Sequence, residues 1–375
     1  MGGMLDDMNR RTFLQTGVIL PWASSVIAAS SDDLGTAVET AARGLQTAVE
    51  SGPVQAAALY VRRKEQSWTK HFGKADRDDA MFLLGSITKP ICMTALMTLY
   101  DQKAFQLEDR VKKFLPAFTG EGRDDVTIRH LLTHVSGLPD QLPDNAALRA
   151  KQAPLSAFVD GALRVPLGFA PGSKYEYSSM GILLASRIAE ILSQTEMRTL
   201  VDRTVYRPLG MTRSVLGIGD RPLADFVPCQ TEFAAPEAGA GDPSSRSWGW
   251  NSPYWRSLGA PWGGGHSSAE NIGRFLAEFL LQRGSAVRPE TARLMTTNQN
   301  PPGFTPRGLG LVVGTGAGSP GCSERTFGHT GSTGTIAWAD PATETICVVL
   351  TSLPARAVKP HPRDVAATAI SGARG

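Results

Sequence analysis

Strand patterns at both ends of the chain, separated by a long helical stretch, most restrict the fold. Near the start, Val54 to Val61 and Ser67 to Gly73 flank the charged run Arg62-Arg63-Lys64-Glu65-Gln66, which predicts a hairpin. Near the end, Gly308 to Val313 reads as a strand. Thr333 to Ala339 and Thr345 to Thr351 then flank Asp340-Pro341-Ala342-Thr343-Glu344, a second hairpin. Helical apolar spacing covers Asp32 to Val49, Leu155 to Ala162, Ser178 to Thr195, Ala269 to Gln282, Pro289 to Thr296 and Val365 to Ile370. The expected class is α+β (α/β-type): an antiparallel sheet built from both termini and flanked by helices, plus an inserted, mostly helical subdomain. The expected boundaries are residues 31–85 and 265–375 for the sheet domain and 86–264 for the helical subdomain. No internal repeat is visible.

Residues 1–30 read as an export leader. Asn9-Arg10-Arg11-Thr12-Phe13-Leu14-Gln15 resembles the twin-arginine pattern, and a modest apolar stretch, Gly17 to Ala29, follows it. Val26-Ile27-Ala28 suits cleavage after Ala28. Asp6 and Asp7 interrupt the positive start, and a start at Met8 removes them. The expected location is therefore periplasmic or secreted. No second long apolar run follows, so no membrane span is expected after the leader.

The sharpest local signal is Leu83-Leu84-Gly85-Ser86-Ile87-Thr88-Lys89-Pro90, where an apolar segment ends at a glycine and a long apolar helix begins. Positions i and i+3 share a helix face, so Ser86 Oγ and the Lys89 amine meet at the first turn. A serine hydroxyl is a weak nucleophile that an adjacent lysine can activate. The Ser86 N–H lies among the unpaired donors of a helix start, where it can face a developing oxyanion. Pro90 cannot donate to the Ser86 carbonyl, so this turn should be tight or loosened.

Other residues read more plainly. His134, in the helical run Thr127 to Pro139, invites a catalytic role, but a hydrogen-bonded histidine at a helix C-terminus is the favoured reading. The four cysteines have no C-x-x-C spacing, and Cys92 and Cys347 sit in apolar runs as buried small hydrophobes. The stretch 235–265 is rich in Gly, Pro and Ser and carries Trp248, Trp250, Trp255 and Trp262. It is either a pocket wall or a surface loop folded on its own aromatics. Gly263-Gly264-Gly265-His266 lacks the ending of a phosphate loop.

Two further segments complete a constellation. One is Pro171-Gly172-Ser173-Lys174-Tyr175-Glu176-Tyr177-Ser178-Ser179-Met180-Gly181; the other is Phe327-Gly328-His329-Thr330-Gly331-Ser332. With Ser86-Ile87-Thr88-Lys89, their order and spacing resemble the serine β-lactamase and penicillin-binding-protein superfamily, in its class C, esterase and D-amino-acid peptidase branch. The resemblance runs from about residue 35 to near the C-terminus and takes in Leu131 to Pro139 and Pro208 to Thr212.

It implies that Ser86 is acylated and that Lys89 and Tyr177 form the general base. Tyr177 fits the motif context better than Tyr175. It implies an oxyanion hole from the backbone N–H groups of Ser86 and Ser332. Ser179, His329, Thr330 and Gly331 match substrate-binding positions, and Trp262 joins them as part of Trp262-Gly263-Gly264. That element resembles the third motif of some related esterases, although His329-Thr330-Gly331 sits on the clearer strand. No metal or other cofactor is implied.

Two departures shape the substrate expectation. Ser179 stands where the family usually has asparagine, and it cannot donate and accept as an amide does. His329 replaces a lysine, and a histidine is only partly charged at neutral pH. Both favour uncharged ester or amide substrates, and an esterase acting on uncharged carboxylic esters is the expected activity. A β-lactam or D-amino-acid peptide is the alternative within the same chemistry, and an inactive peptidoglycan-binding protein is the alternative outside it. A composition of 42% hydrophobic and 19% charged residues suits a sizeable soluble core, and a net charge of +3 is too small and too scattered to argue for nucleic acid, so no nucleic-acid partner is expected.

Overall fold

The computed structural model describes residues 34–373, and the leader expected at 1–30 lies outside the described residues. The chain opens with helix α1 (Leu34–Glu50) and the hairpin β1 (Ala56–Arg63) and β2 (Gln66–Gly73). A short strand β3 (Phe82–Leu83) precedes helix α2 (Thr88–Asp101). The helical middle holds α3 (Ile128–Leu132), α4 (Asn145–Ala150), α5 (Leu155–Arg164), α6 (Ser179–Ser193) and α7 (Met197–Val201). Strand β4 (Ser214–Leu216), helix α8 (Pro253–Leu258) and strand β5 (Gly265–Ser267) follow. The chain returns through α9 (Ala269–Leu281) and α10 (Pro289–Thr296) to strands β6 (Val312–Val313), β7 (Phe327–Gly331), β8 (Thr335–Asp340) and β9 (Thr345–Thr351). Helix α11 (Pro362–Ser371) ends the described chain.

Both ends build one antiparallel sheet, in the order β2-β1-β9-β8-β7-β6. The seam between first and last strands runs from Ala57 opposite Thr351 to Arg63 opposite Thr345. Side chains alternate across this sheet, as strand geometry requires. Ala57, Leu59, Val61, Trp338, Cys347 and Val349 face α1 and α11. Ala58, Tyr60, Ala337, Ala339, Val348 and Leu350 face the second core, which also holds apolar residues of α2, α6 and α9. Helix α1 supplies a matching stripe from Leu34, Val38, Ala41, Leu45 and Ala48. Helix α2 is buried all round from Thr88 to Leu99, so its first turn is fixed from every side.

Two local expectations change. The expected helix from Thr127 stops at Leu132, and the chain turns through His134 at φ +62°. The strand expected at Gly308 to Val313 shrinks to two residues, because Gly310 at φ +83° turns the chain and the Gly308 N–H closes on the Leu311 carbonyl. The Gly-rich run before His266 enters a second, three-stranded sheet, β3-β5-β4. All four cysteines are free, and Cys92 and Cys347 are fully buried.

Candidate active site

Ser86 lies in the turn between β3 and α2. Gly85 enters that turn at φ +56°, which glycine adopts without steric cost. A Cβ there would lie 2.9 Å from Thr333 Oγ1 and 3.3 Å from the Ser332 nitrogen. Residues Gly85–Ile87 form a 3₁₀ turn, the tight start that Pro90 demands. One turn on, Lys89 Nζ donates to Ser86 Oγ at 3.0 Å and to the Trp262 carbonyl at 2.8 Å. Lys89 is 1% exposed and forms no ion pair among the described residues.

Tyr177 arrives from the segment before α6, and His134 clamps that segment. The Glu176 N–H donates to the His134 carbonyl at 2.9 Å, and the Ser178 N–H donates to His134 Nδ1 at 3.1 Å. The imidazole also packs 4.6 Å from the Tyr177 ring, centroid to centroid. Since Nδ1 accepts, the ring proton sits on Nε2. Burial, then Arg307 and Lys89, hold His134 well below the usual imidazole range, so it is neutral. The favoured reading of His134 as a hydrogen-bonded structural histidine matches this geometry. Ser178 then caps α6 by accepting the Gly181 N–H. Lys89 Nζ ends 4.7 Å from the Tyr177 ring centroid, and Tyr177 Oη is buried with no hydrogen-bond partner among the described residues.

The third segment closes from the sheet. A Cβ on Gly331 would lie 2.2 Å from the Leu84 carbonyl oxygen, so only glycine lets β7 approach the Ser86 turn this closely. The Thr333 and Thr335 hydroxyls donate to the Leu83 and Leu84 carbonyls at 2.8 and 2.7 Å. Arg363 of α11 braces the turn between β7 and β8 by donating to the Gly331 and Thr335 carbonyls. The Ser332 carbonyl accepts the Ala355 N–H, while the Ser332 N–H has no acceptor among the described residues.

Ser86, Lys89, Tyr177, Ser179, Ser332 and Trp262 thus line one cavity of about 120 Å³. A larger groove of about 450 Å³ near α5, α6 and α7 has no lysine or histidine on its wall. Other matched residues sit differently. The Ser179 hydroxyl donates to Asp140 at 2.5 Å, and its N–H donates to the same oxygen. His329 lies 6.1 Å from the Tyr177 ring, with Nδ1 donating to the Thr330 carbonyl and Nε2 unpartnered. Burial holds His329 well below the imidazole range, so β7 presents no charged side chain here. Thr330 is exposed, and neither it nor Gly331 lines the cavity.

The tryptophan-rich stretch serves as pocket wall. Trp250, Trp255 and Trp262 line the cavity. Arg256 fixes the stretch by donating to the Trp250 and Val227 carbonyls. Sequence reasoning missed Asp140, Gln141, Arg149 and Glu237, which complete the wall. Asp140 directly follows the Leu131 to Pro139 segment and was within reach of that signal. Glu237 lies inside the 235–265 stretch already marked as a candidate pocket wall, whereas Arg149 comes from α4 with no local motif.

A family model described as Beta-lactamase matches residues 41–370. The chain is 26% identical over 359 residues to "Putative D-alanyl-D-alanine carboxypeptidase" of Escherichia coli (strain K12), covering 83% of this chain and 81% of that protein. In fold it is similar to the D-amino acid amidase from Ochrobactrum anthropi SV3, with a TM-score of 0.74 and 22% identity over 91% of this chain and 99% of the other. It is also similar to EstCE1, a hydrolase with promiscuous acyltransferase activity, with a TM-score of 0.66 and 20% identity over 89% and 98% of the two chains.

Proposed function

The chain belongs to the β-lactamase family of serine hydrolases, and from that premise we propose that it forms an acyl-enzyme on Ser86 and hydrolyses short, uncharged carboxylic esters. The observation that carries this reading is the 3.0 Å hydrogen bond from Lys89 to Ser86 inside a cavity walled by tryptophan.

In the proposed reaction, Lys89 and Tyr177 together take the Ser86 proton as Oγ bonds to the acyl carbon. The carbonyl electron pair moves onto oxygen, toward the Ser86 and Ser332 N–H groups. As the ester C–O bond breaks, Tyr177 returns that proton to the leaving oxygen. A water then repeats the sequence on the acyl-enzyme and releases the acid.

Three features support esters. The Ser179 hydroxyl is committed to Asp140 and does not replace an amide donor. His329 is neutral and offers no charge for a carboxylate. A cavity of about 120 Å³ is small beside the roughly 300–1,000 Å³ of a drug-sized site, which suits a short acyl chain. One observation favours a second reading, a D-amino-acid peptide or amide. Asp140 and Glu237 on the wall suit an ammonium group.

Purified protein should be assayed against p-nitrophenyl acetate to octanoate, nitrocefin and D-amino-acid amides. Acetate and butyrate esters should give the highest kcat/KM. Faster turnover of the amides would replace the first reading by the second, and faster nitrocefin turnover would make the protein a β-lactamase. Failure of a fluorophosphonate to label Ser86 would reject catalysis altogether, leaving a binding protein.

A further inference from the structure

Arg307 is a buried guanidinium with no carboxylate partner. It is 7% exposed, and it forms no ion pair among the described residues. Its Nε and Nη2 both donate to Tyr175 Oη, at 3.0 and 2.6 Å, and its Nη1 has no partner. Its Cζ stands 5.3 Å from the Tyr177 ring centroid and 5.5 Å from that of Tyr175. A buried cation left without a counter-charge is costly, so structures keep one where a negative charge appears. The charged or titratable groups around Tyr177 are Lys89, His134, Tyr175, His329, Arg307 and, across the cavity, Asp140, Arg149 and Glu237. The two histidines are held neutral in part by Arg307 itself. Tyr175 is pushed up by burial and serves the guanidinium as a neutral acceptor.

We infer that Arg307 is the fixed cation against which Tyr177 carries negative charge during proton transfer. It supplies from the loop before β6 the charge that β7 lacks with histidine at position 329. The inference rests on the proposed role of Tyr177. Arg307 does not line the cavity, so it is a positioning residue that acts through Tyr177 rather than on the substrate. Tyr175, the poorer motif match, then has its own task, since its hydroxyl grips two nitrogens of the guanidinium and sets where the charge lies.

The test is the pH dependence of ester hydrolysis by Arg307→Met, Arg307→Lys and Tyr175→Phe, with Tyr177→Phe as control. In Arg307→Met, kcat should fall about tenfold or more, KM should stay within about twofold, and the acidic limb of kcat/KM should move about one pH unit higher. Arg307→Lys should return the limb to its wild-type position. Tyr175→Phe, which keeps the protein's packing, should lower kcat several-fold. An Arg307→Met enzyme with a wild-type rate and limb overturns the inference. So does a slow Arg307→Met enzyme whose limb is unmoved and which lysine does not rescue. If Arg307→Met does not fold, a wild-type kcat in Tyr175→Phe overturns it. Full activity in Tyr177→Phe would instead remove the functional reading beneath it. An inactive Tyr177→Phe beside an unaffected Arg307→Met rejects this inference alone.

Discussion

The Lys89 amine is held 3.0 Å from Ser86 Oγ by a second hydrogen bond, 2.8 Å to the main-chain carbonyl of Trp262. Residues separated by most of the helical middle are thereby joined at one nitrogen. A flexible lysine loses much rotamer freedom when fixed, and this grip fixes it before substrate arrives.

Replacing Lys89 by Met keeps most of the apolar stem and removes the amine. We expect kcat for p-nitrophenyl acetate to fall by roughly 10²–10⁴-fold, and Ser86→Ala to abolish the acyl-enzyme. Stopped-flow burst amplitudes and intact-protein mass spectrometry distinguish the two. Full hydrolysis by Ser86→Ala would sink the proposed nucleophile.

Gly331→Ala tests the approach of β7 to the serine turn. The added Cβ would meet the Leu84 carbonyl oxygen at 2.2 Å, and relief must move the strand and carry the Ser332 N–H away from Ser86. Weakening one oxyanion donor costs roughly 10²–10³-fold in kcat. Kinetics together with a melting curve check this, and an unchanged kcat in the folded variant would show that Ser332 is no oxyanion donor.

His134→Ala should loosen the Tyr177 segment. It leaves the Ser178 N–H without its Nδ1 acceptor, a cost of about 1–3 kcal/mol for a buried donor. It also places alanine at φ +62°. His134→Asn should recover part of the loss, because asparagine tolerates that conformation and offers an acceptor. Urea midpoints and kcat measured on both variants decide the matter. Equal stability of the alanine variant and wild type would contradict the clamp.

Acid should destabilise the fold. Burial pushes His361 down to about 4, and holds His134, His266 and His329 well below the ordinary imidazole value. These groups stay neutral when folded and take protons when unfolded. Stability from them is complete above about pH 6.5 and falls as pH drops toward 4. His361 accepts the Arg363 N–H through Nδ1 as the cap of α11. His361→Asn keeps a capping side chain without a titrating ring, so its urea midpoint should vary less between pH 6.5 and 4.5 than that of the wild type. An unchanged slope would exclude His361 as a source.

Export is also open to test. If residues 1–30 act as a twin-arginine leader, Arg10→Lys with Arg11→Lys should leave the protein in the cytoplasmic fraction, detected by immunoblot of separated compartments. Equal export of both forms would exclude that route.

The sheet and the Ser86–Lys89 contact were legible because both rest on local patterns. Alternating strands near both ends, the β8–β9 hairpin signal and the Ser86–Lys89 spacing each lie within a few residues. Tyr177 was found through its surrounding motif, and its clamp by His134 was not, since that clamp needs a turn out of α3 that apolar periodicity does not encode. The wall of the cavity was the least legible part. Asp140 and Arg149 reach it from separate segments and Glu237 from the 235–265 stretch, and Arg307 approaches Tyr177 from just before the strand expected at Gly308 to Val313. Such meetings depend on tertiary packing rather than on neighbours in the chain.

The tether on Lys89 is a peptide carbonyl, which is present whatever side chain residue 262 carries. Substitutions of that indole can therefore widen or narrow the chamber while the amine keeps its anchor. In the esterase proposed above, chain-length selectivity could therefore be engineered independently of proton transfer, and position 262 is a natural place to begin.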